Sequence, residues 1–381
     1  MSSQMFDLAV VGGGVIGLAH AHMAAKAGKR VAVIERNARA DGASIRNFGF
    51  ITVTGQERGD SWRLARRTRD VWAEVAPQAG LRIEQQGLVL SARSDEAMAV
   101  IAAFLETEMG EGCRLLAPEE FRRLAGGLGG PDLKGALFSP HEVRVESRTA
   151  IPGLTKWLKE AAGVVFFNET VVFEAAPPRL RTSRGIVEAA ATVVCPGDDF
   201  VTLYPETIAR YALRRCRLSM VKLADPGVRL PHVLMSDLGL ARYRGYSALP
   251  EARALEARLR AEHPGCFEHG VHLIAAQGAD GGLIVGDSHH YDGLPEPFAP
   301  ADAEREILDE YARATGRPPP PVRERWTGTY TVADDRTYLV DTPEPGVRLV
   351  MITSGNGAST SFGIAERVVG DLLGLKAEDM T

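Results

Sequence analysis

Two glycine-rich turns hold the residues of this chain with the clearest capacity for chemistry. The first is Gly12-x-Gly14-x-x-Gly17, which follows a short apolar run and precedes a stretch of small residues with helical character. The backbone of such a turn approaches a diphosphate closely, and the helix N-terminus favours its negative charge. Glu35, eighteen residues after Gly17, lies where a carboxylate accepts hydrogen bonds from both ribose hydroxyls. The pattern predicts FAD or NAD, because the acid would repel the 2′-phosphate of NADP.

The second glycine turn lies near the C-terminus, in the stretch SGNGASTSFG. Gly355 and Gly357 open this turn, and Ser359 and Thr360 are residue types that cap helix N-termini. A helix that begins here directs its dipole and N–H groups at an anionic group. The N1–C2=O edge of an isoalloxazine becomes negative on reduction, so we predict a flavin site here rather than an ordinary strand-to-helix turn.

Length and composition limit the class of protein. The chain has 381 residues, which favours two domains, and its 45% hydrophobic and 24% charged residues are typical of a globular protein. A net charge of −5 argues against nucleic acid or an anionic membrane as partner. No apolar stretch approaches the roughly 20 residues of a membrane span, and the first strand begins too early for a signal peptide. We expect a cytoplasmic protein with reduced cysteines, either a monomer or a homodimer.

The hydrophobic pattern predicts the elements that position the two turns. Predicted helices lie near 57–76, 95–109, 251–262 and 302–315, and predicted strands at 81–90 (two short strands), 179–182 paired with 186–189, 191–197, 214–223 and 271–286. The proline-rich passage 316–326 is typical of a crossing between domains. Because both ends of the chain carry a strand, glycine turn and helix, one domain is expected to combine them. We therefore predict an FAD-binding domain at 1–80, 138–212 and 322–381, and a substrate-binding domain at 81–137 and 213–321.

One run of residues has metal-ligand character. His263, Cys266, His269 and His272 recur at every third position. The run lacks the paired-ligand turns of a zinc site and lies between a helix-like and a strand-like segment. We therefore predict surface and packing roles for it, and no metal.

Further segments extend the motif set over the whole chain. These are GASIRNFG at 42–49, VVCPG at 193–197, RWTGTYTVADDR at 325–336 and SGNGAST at 354–360. Together with the first glycine motif and Glu35, they resemble the FAD-dependent glycine/D-amino acid oxidase superfamily. The resemblance implies an α/β fold with a discontinuous Rossmann-type FAD-binding domain. Beside it we expect a mostly antiparallel β-sheet substrate domain with helices. The FAD is expected to be non-covalent, since no cysteine lies in 325–336 or beside the GASIRN segment.

The resemblance also implies which residues contact FAD. They are Gly12, Gly14, Val15, Ile16, Gly17, Glu35, Arg36, Ala43, Ser44, Arg46, Asn47, Gly49, Val171, Gly197, Gly355, Asn356, Gly357, Ala358, Ser359 and Thr360. Val171 and Gly197 are expected on the adenine and ribose side, and the segment 42–49 along the diphosphate and flavin.

Departures from the family pattern narrow the substrate. Amino acid oxidases of the superfamily carry WxGxRP, whose arginine binds the substrate carboxylate, whereas here Tyr330 follows Trp326 and Gly328 at that spacing. Glycine oxidases also carry a basic residue in the last glycine turn, where this chain has none. The combination SIRNFG and TSGNGAST is similar to a subgroup associated with organophosphonate breakdown. Its members are thought to oxidise 2-aminoethylphosphonate or its N-methyl form. The substrate-binding candidates are Arg46, Asn47, Arg242, Tyr246, His289, Tyr330 and Thr360, with Tyr243, Ser359 and Arg336 as further donors.

The predicted reaction is flavin-dependent oxidation of a small, phosphonate-bearing amine. Hydride leaves the carbon beside nitrogen, the imine hydrolyses to phosphonoacetaldehyde plus ammonia or methylamine, and O₂ is reduced to H₂O₂. Tyr246 and Tyr330 are the catalytic candidates, acting through hydrogen bonds. The alternatives are a sarcosine, glycine or D-amino acid oxidase, an amine dehydrogenase with another electron acceptor, a protein that binds FAD without turnover, and a nicotinamide-dependent dehydrogenase.

Overall fold

The fold consists of two β-sheets, each packed against helices, in a computed structural model that describes residues 5–292, 296 and 298–380. Its strands are β1 (Phe6–Val11), β2 (Val31–Ile34), β3 (Phe50–Ile51), β4 (Ile83–Ala92), β5 (Arg114–Leu116), β6 (Gly135–Val145), β7 (Val165–Phe167), β8 (Val172–Glu174), β9 (Arg179–Thr182), β10 (Gly185–Val194), β11 (Arg214–Leu223), β12 (Val233–Met235), β13 (Ile274–Gln277), β14 (Leu283–Asp292), β15 (Val322–Val332), β16 (Tyr338–Asp341) and β17 (Val347–Ile352). Its helices are α1 (Val15–Lys26), α2 (Asp60–Gln78), α3 (Asp95–Leu105), α4 (Pro118–Leu124), α5 (Ser147–Glu160), α6 (Pro205–Ile208), α7 (Leu238–Arg242), α8 (Arg244–Ser247), α9 (Ala252–Glu262), α10 (Pro264–Glu268), α11 (Ala301–Thr315) and α12 (Gly357–Leu373).

The first sheet brings the two ends of the chain together. Its strand order is β16-β17-β10-β1-β2-β7, parallel from β17 to β7, with β16 antiparallel at one edge. Every residue of β2 is buried, as expected for a parallel strand covered on both faces. One face packs against α1, α2, α5 and α12, and the meander β8–β9–β10 lies off the main path of the sheet. This is the predicted discontinuous Rossmann-type arrangement.

The second sheet has the order β15-β11-β14-β13-β12-β4-β6-β3, with β5 paired to β6. Its strands are antiparallel to their neighbours except β12 and β4, which run parallel. A core that includes Phe104, Phe121 and Tyr311 fills the space between this sheet and its helices. The predicted fold class, an α/β FAD-binding domain with a mostly antiparallel second sheet, is confirmed.

Several local predictions differ from the structure. The stretch 81–90 forms part of the single strand β4 rather than two strands, and 271–286 contains β13 and the start of β14 rather than one strand. The predicted boundaries place β3, β15 and the part of β6 from residue 138 onward in the FAD-binding domain, but all three strands belong to the second sheet. Their pairing determines their sheet, because β6 pairs with β4 and β15 pairs with β11. The domain division itself stays a prediction.

Over the described part of the chain, no helix combines the length and the apolar character needed to cross a bilayer.

Candidate active site

A cavity of about 580 Å³ lies between the two sheets. The carboxyl ends of β1, β2, β10 and β17 form one wall, and residues of β11, β14 and β15 form another. In open parallel sheets, ligands bind at this edge of the strands. Both glycine turns border the cavity, so the structure joins the two predicted motifs in one site.

The first turn is shaped for close backbone contact. Gly12 has φ +105°, and its N–H donates to the carbonyl of Ile34 at 2.9 Å. A Cβ at Gly12 would collide with the Cys195 carbonyl, and a Cβ at Gly17 with the Gly12 carbonyl. These contacts explain why both positions need glycine. The N-terminus of α1 therefore opens onto the cavity, where the Ser44 hydroxyl accepts a hydrogen bond from the N–H of Val15 at 2.9 Å.

Glu35 is held rigidly at the end of β2. Its Oε2 accepts from the N–H of Gly13 at 2.7 Å, and its Oε1 accepts from the N–H of Asn37 at 2.9 Å. The carboxylate is buried yet lines the cavity. Since each carboxylate oxygen has lone pairs beyond these bonds, the geometry fits a pair of ribose hydroxyls.

Three further predicted residues surround the Glu35 end of the cavity. Arg36 pairs with Asp199 at 2.7 Å, and both line it. Val171 also lines the cavity, although its N–H donates to the Ser183 hydroxyl at 3.0 Å and is not free for a ligand. Gly197 lies in the lining with φ +66°.

The C-terminal turn differs in detail from the prediction. Helix α12 begins at Gly357 with Asn356 at the cap position, so Ser359 and Thr360 lie inside its first turn and do not cap it. The Ser359 hydroxyl accepts from the N–H of Thr52 at 3.0 Å, and the Thr360 hydroxyl donates to the Asn356 carbonyl at 3.1 Å. Their hydroxyls therefore hold the protein together, while the backbone from Gly355 to Ser359 borders the cavity.

The residue set fits FAD. All predicted FAD contacts except Gly49 and Thr360 line the cavity. Gly49 has φ +66° and approaches the carbonyl of Val145, so its role is close packing against β6 rather than ligand contact. Thr360 is buried in α12. The glycine cradle, the fixed Glu35 carboxylate and two helix N-termini on one cavity are the features that an adenine–diphosphate–isoalloxazine ligand requires.

Arg46 and Asn47 line the cavity, but their side chains shape the loop that carries them. Arg46 Nε donates to the Asp41 carbonyl at 2.7 Å. Asn47 donates to the Ala43 carbonyl at 2.8 Å and accepts from the N–H of Gly49 at 2.7 Å. A substrate contact by these two side chains stays a prediction.

The second sheet supplies a different set of polar groups to the cavity. Tyr291 on β14 and Tyr330 on β15 both lie beside Cys216 of β11, so the two phenols share one face of the sheet. Nη2 of Arg242 donates to the Tyr291 hydroxyl at 2.9 Å. The ring of Tyr330 packs against Gly355, where a Cβ would lie 2.9 Å from Cζ, which connects this sheet to the C-terminal turn.

Tyr246 is not a cavity residue. Its side chain is fully buried and packs against the ring of Phe104. Its hydroxyl oxygen lies 2.6 Å from the hydroxyl oxygen of Thr54. The prediction of a catalytic or substrate-binding role for Tyr246 is therefore corrected, because the side chain lies in the hydrophobic core that packs against the second sheet. The neighbouring residue Tyr243 lines the cavity instead.

Asp287 and Tyr291 were not predicted from the sequence, and His272 was weighed only as a metal ligand. On β14, Asp287, His289 and Tyr291 alternate, so all three line the cavity. The two-residue spacing D-x-H-x-Y was the available signal, but it does not show which face of the strand is turned to a ligand. His272 joins them from the segment before β13.

The predicted role of the His263–His272 run also changes. Within the described residues, His272 groups with Asp287 and His289, and the relevant atoms lie within 4.8 Å of one another. Cys266 instead contacts Glu306 at 3.4 Å, and His269 contacts His290 at 3.3 Å. The structure thus separates His272 from the rest of the run.

Comparisons with known proteins agree with this geometry. The family profile described as DAO: FAD dependent oxidoreductase matches residues 7–370. The structure is similar to glycine oxidase from Geobacillus kaustophilus (TM-score 0.77, 20% identity, covering 98% of this chain and 95% of that chain). It is also similar to glycine oxidase from Bacillus cereus ATCC 14579 (TM-score 0.77, 16% identity, covering 97% of this chain and 95% of that chain). A third similar structure is L-proline dehydrogenase from P. horikoshii (TM-score 0.77, 17% identity, covering 97% of this chain and 93% of that chain). No curated protein sequence matches the chain significantly.

Proposed function

The chain belongs to the DAO family of FAD-dependent oxidoreductases, and from that premise we propose that it oxidises a small amine bearing a phosphonate. As a member of this family it is an FAD-dependent oxidoreductase, and bound FAD would supply the acceptor for hydride from the carbon next to nitrogen. The proposed substrate is 2-aminoethylphosphonate or its N-methyl form. The imine product hydrolyses to phosphonoacetaldehyde plus ammonia or methylamine, and O₂ is reduced to H₂O₂.

The proposal includes a placement for the cofactor. Glu35, Arg36 and Val171 would hold the adenosine, and the N-terminus of α1 together with Ser44 would hold the diphosphate. The turn that precedes α12 would hold the isoalloxazine. This placement is supported by the continuous lining of the cavity between these groups.

The single observation that carries the substrate proposal is the state of Arg242. Its side chain lines the cavity and forms no ion pair with a carboxylate of the described residues. Burial opposes its charge, but Tyr291, Tyr330 and Asp287 together raise the pKa of Arg242 above its ordinary value. The guanidinium is therefore a fixed cation in direct contact with no carboxylate of the described residues, and such groups are stabilised by an anionic ligand.

The neighbours of Arg242 favour a tetrahedral anion. Tyr243, Tyr291 and Tyr330 place phenol groups in the same cavity lining. Burial raises the pKa of Tyr243 and that of Tyr330 above the ordinary value of a phenol, so both remain neutral hydrogen-bond donors. A phosphonate has three oxygens in a tetrahedral arrangement and suits distributed donors. A carboxylate is planar and is satisfied by one guanidinium fork.

A second candidate function is oxidation of sarcosine, glycine or a D-amino acid. The observation that favours it is the same guanidinium, since a single arginine is sufficient to bind a carboxylate in two-point geometry.

Anaerobic reduction of the bound FAD, followed at its absorbance near 450 nm, distinguishes the two candidates. Each compound is mixed in turn with the enzyme: the two aminophosphonates, sarcosine, glycine and D-alanine. Reduction by the aminophosphonates at rates at least tenfold above those of the amino acids is expected. Reduction by the amino acids alone would overturn the phosphonate assignment. Peroxide yield per aldehyde formed then shows whether O₂ is the electron acceptor.

Arg242→Met tests the anion site directly. We expect KM for the aminophosphonate to rise about 10- to 100-fold, because a charge-assisted contact contributes about 1.5–3 kcal/mol. The control is Arg58→Met, which removes an exposed arginine paired with Glu108. An unchanged KM in the Arg242 variant would exclude it as the anion site.

A further inference from the structure

A buried acidic group faces the same cavity as Arg242. Asp287 on β14 is 5% exposed and lies between two imidazoles. Its Oδ1 is 3.3 Å from Nε2 of His272, and its Oδ2 is 3.7 Å from Nε2 of His289. All three residues line the cavity, so a ligand that reaches Arg242 enters the neighbourhood of this carboxylate.

Neither imidazole is in place to satisfy the carboxylate. Nδ1 of His289 lies 3.0 Å from the Gly270 carbonyl, and since a carbonyl only accepts, Nδ1 carries the proton and the neutral ring presents an unprotonated Nε2 to Asp287. Nε2 of His272 is engaged at 2.9 Å with the Tyr243 hydroxyl. Burial lowers the pKa of both histidines well below the ordinary value, so both rings are neutral at pH 7.

Asp287 therefore has an unmet need for a donor. Its Oδ1 is buried and has no hydrogen-bond partner among the described residues. A buried carboxylate oxygen without a donor is unfavourable, and the residue that carries it lines the cavity. A cationic N–H group on the ligand would supply the missing donor.

The charges that face Asp287 come from several elements. Arg242 at the end of α7 is the fixed cation. The other titratable groups are Tyr243 after α7, His272 before β13, His289 and Tyr291 on β14, Cys216 on β11 and Tyr330 on β15. Burial raises the pKa of Cys216 to about 11, so the thiol is neutral at pH 7, as are Tyr243, Tyr330 and the two imidazoles. Burial raises the pKa of Asp287 to about 7, although the Arg242 charge opposes the shift.

We propose that Asp287 binds the ammonium group of the substrate and removes one proton from it before hydride transfer. One N–H bond of the ammonium breaks, an O–H bond forms on Asp287, and the electron pair stays on nitrogen. The resulting neutral amine can release hydride, which an ammonium of pKa about 10 cannot. His272 and His289 flank the carboxylate on either side and, being neutral, leave the ammonium as its donor. This inference rests on the C–N oxidation in the proposed function, but it does not depend on the phosphonate.

Taken together, the two charges define the substrate class as a zwitterion. Arg242 binds the anionic end and Asp287 the ammonium end of one small molecule. Because a neutral or purely anionic ligand leaves Asp287 without a donor, such ligands are expected to inhibit weakly rather than react.

The pH dependence of kcat/KM for anaerobic FAD reduction tests the proposal. In the wild type, the value is expected to rise through an apparent pKa near 7, where Asp287 loses its proton, because kcat/KM reports groups of the free enzyme. In Asp287→Asn, we expect this rise to disappear and the rate at pH 8 to fall about 100-fold. The control is Asp280→Asn, which changes an exposed carboxylate in the loop before the same strand.

Binding provides a second readout that a merely structural role would not move. Calorimetry with ethylphosphonate, which lacks the amine, is expected to give the same affinity for the wild type and Asp287→Asn within twofold. The apparent affinity for 2-aminoethylphosphonate, from saturation of the reduction rate, is expected to fall at least tenfold. An equal loss for both ligands would overturn the proposal.

Other outcomes also decide the matter. A wild-type profile that is flat from pH 5.5 to 8 overturns the proposal without any variant. A stoichiometric divalent metal that is lost in His272→Asn and His289→Asn overturns it as well, since two histidines and a carboxylate also suit a metal. If only amino acids reduce the FAD, the phosphonate assignment fails. Asp287 is then tested with sarcosine as the substrate and with acetate as the ligand that lacks the amine. If no amine reduces it, both proposals fail.

Discussion

At the scale of single residues, two carboxylates with opposite environments lie in one cavity. Glu35 receives two backbone N–H donors, at 2.7 and 2.9 Å. Asp287 has an oxygen without any donor among the residues described. The Glu35 carboxylate therefore has a donor on each of its oxygens, whereas the Asp287 carboxylate still needs one. Their difference separates the cofactor end of the cavity from the end proposed for substrate.

Replacing Glu35 by Gln should weaken FAD binding about 10- to 100-fold. The amide loses the charge and presents an NH₂ group to a backbone N–H, and a charge-assisted hydrogen bond contributes about 1.5–3 kcal/mol. Fluorescence titration of the apoprotein with FAD measures the affinity. Glu74→Gln, which alters an exposed carboxylate on α2 paired with Lys26, serves as the control. Equal affinities in the two variants would show that Glu35 does not contact the cofactor.

Asp287 should also make stability depend on pH. Because its pKa is about 7 in the folded protein and 3.8 ordinarily, its contribution is fully present below pH 3.8 and is lost as pH rises through 7. We expect Asp287→Asn to gain stability relative to the wild type between pH 5 and pH 8, on the order of 2–4 kcal/mol. Denaturant unfolding of the apoproteins at both pH values measures this. If the difference in unfolding free energy between the wild type and Asp287→Asn were the same at both pH values, the raised pKa of Asp287 would be contradicted.

At the scale of elements, the β1–α1 turn carries the strictest backbone requirement. Gly12→Ala places a methyl group against the Cys195 carbonyl at φ +105°. We expect a loss of FAD binding and a stability cost of about 2–4 kcal/mol, from strain plus the collision. Gly28→Ala is the matched control, since Gly28 has φ +71° but open space around its Cα. It should cost about 1–2 kcal/mol and leave FAD affinity unchanged. Thermal unfolding and FAD titration of both variants provide the comparison.

Element prediction from sequence succeeded where the signal was periodic and local. The strand at 214–223 and the hairpin after Arg179 were found because their apolar positions alternate. The cap of α12 was misplaced by three residues, because Ser359 and Thr360 bond to other partners within the fold. The predicted boundaries placed residues 322–332 in the FAD-binding domain, whereas β15 pairs with the second sheet. Its pairing with β11 is a long-range choice that composition does not encode.

At the scale of the whole molecule, a buried ion network positions the helix that bears Arg242. Arg93, just after β4, donates to Asp237 at 3.0 Å and to Glu310 at 2.6 Å. Asp237 precedes α7, whose last residue is Arg242, and Glu310 lies in α11. Three separate elements are therefore fixed relative to one another behind the cavity.

Arg93→Met should destabilise the protein by about 3–5 kcal/mol, because the buried Asp237 carboxylate loses its cation and Glu310 keeps only Arg313. In the wild type, burial acts against the charged form of Glu310, but Arg93 holds its pKa below the ordinary value. In the variant, the Glu310 carboxyl loses this charge and favours protonation, so the deficit of the variant should be larger at pH 8 than at pH 5. Denaturant unfolding at the two pH values measures this, with the surface variant Arg58→Met as control. A deficit below 1 kcal/mol would show that the network is dispensable.

The sequence by itself determined the cofactor half of this protein. The glycine turn, the following helix and Glu35 lie within about thirty residues of one another, so their spacing is fixed by local geometry. Only the tertiary structure decided the other half. Arg242, His272 and Asp287 come from separate elements and meet through strand pairing and helix packing. Tyr246 shows the same limit: three residues from Tyr243 on the chain, it faces the core, because burial depends on what packs against a residue and not on its type.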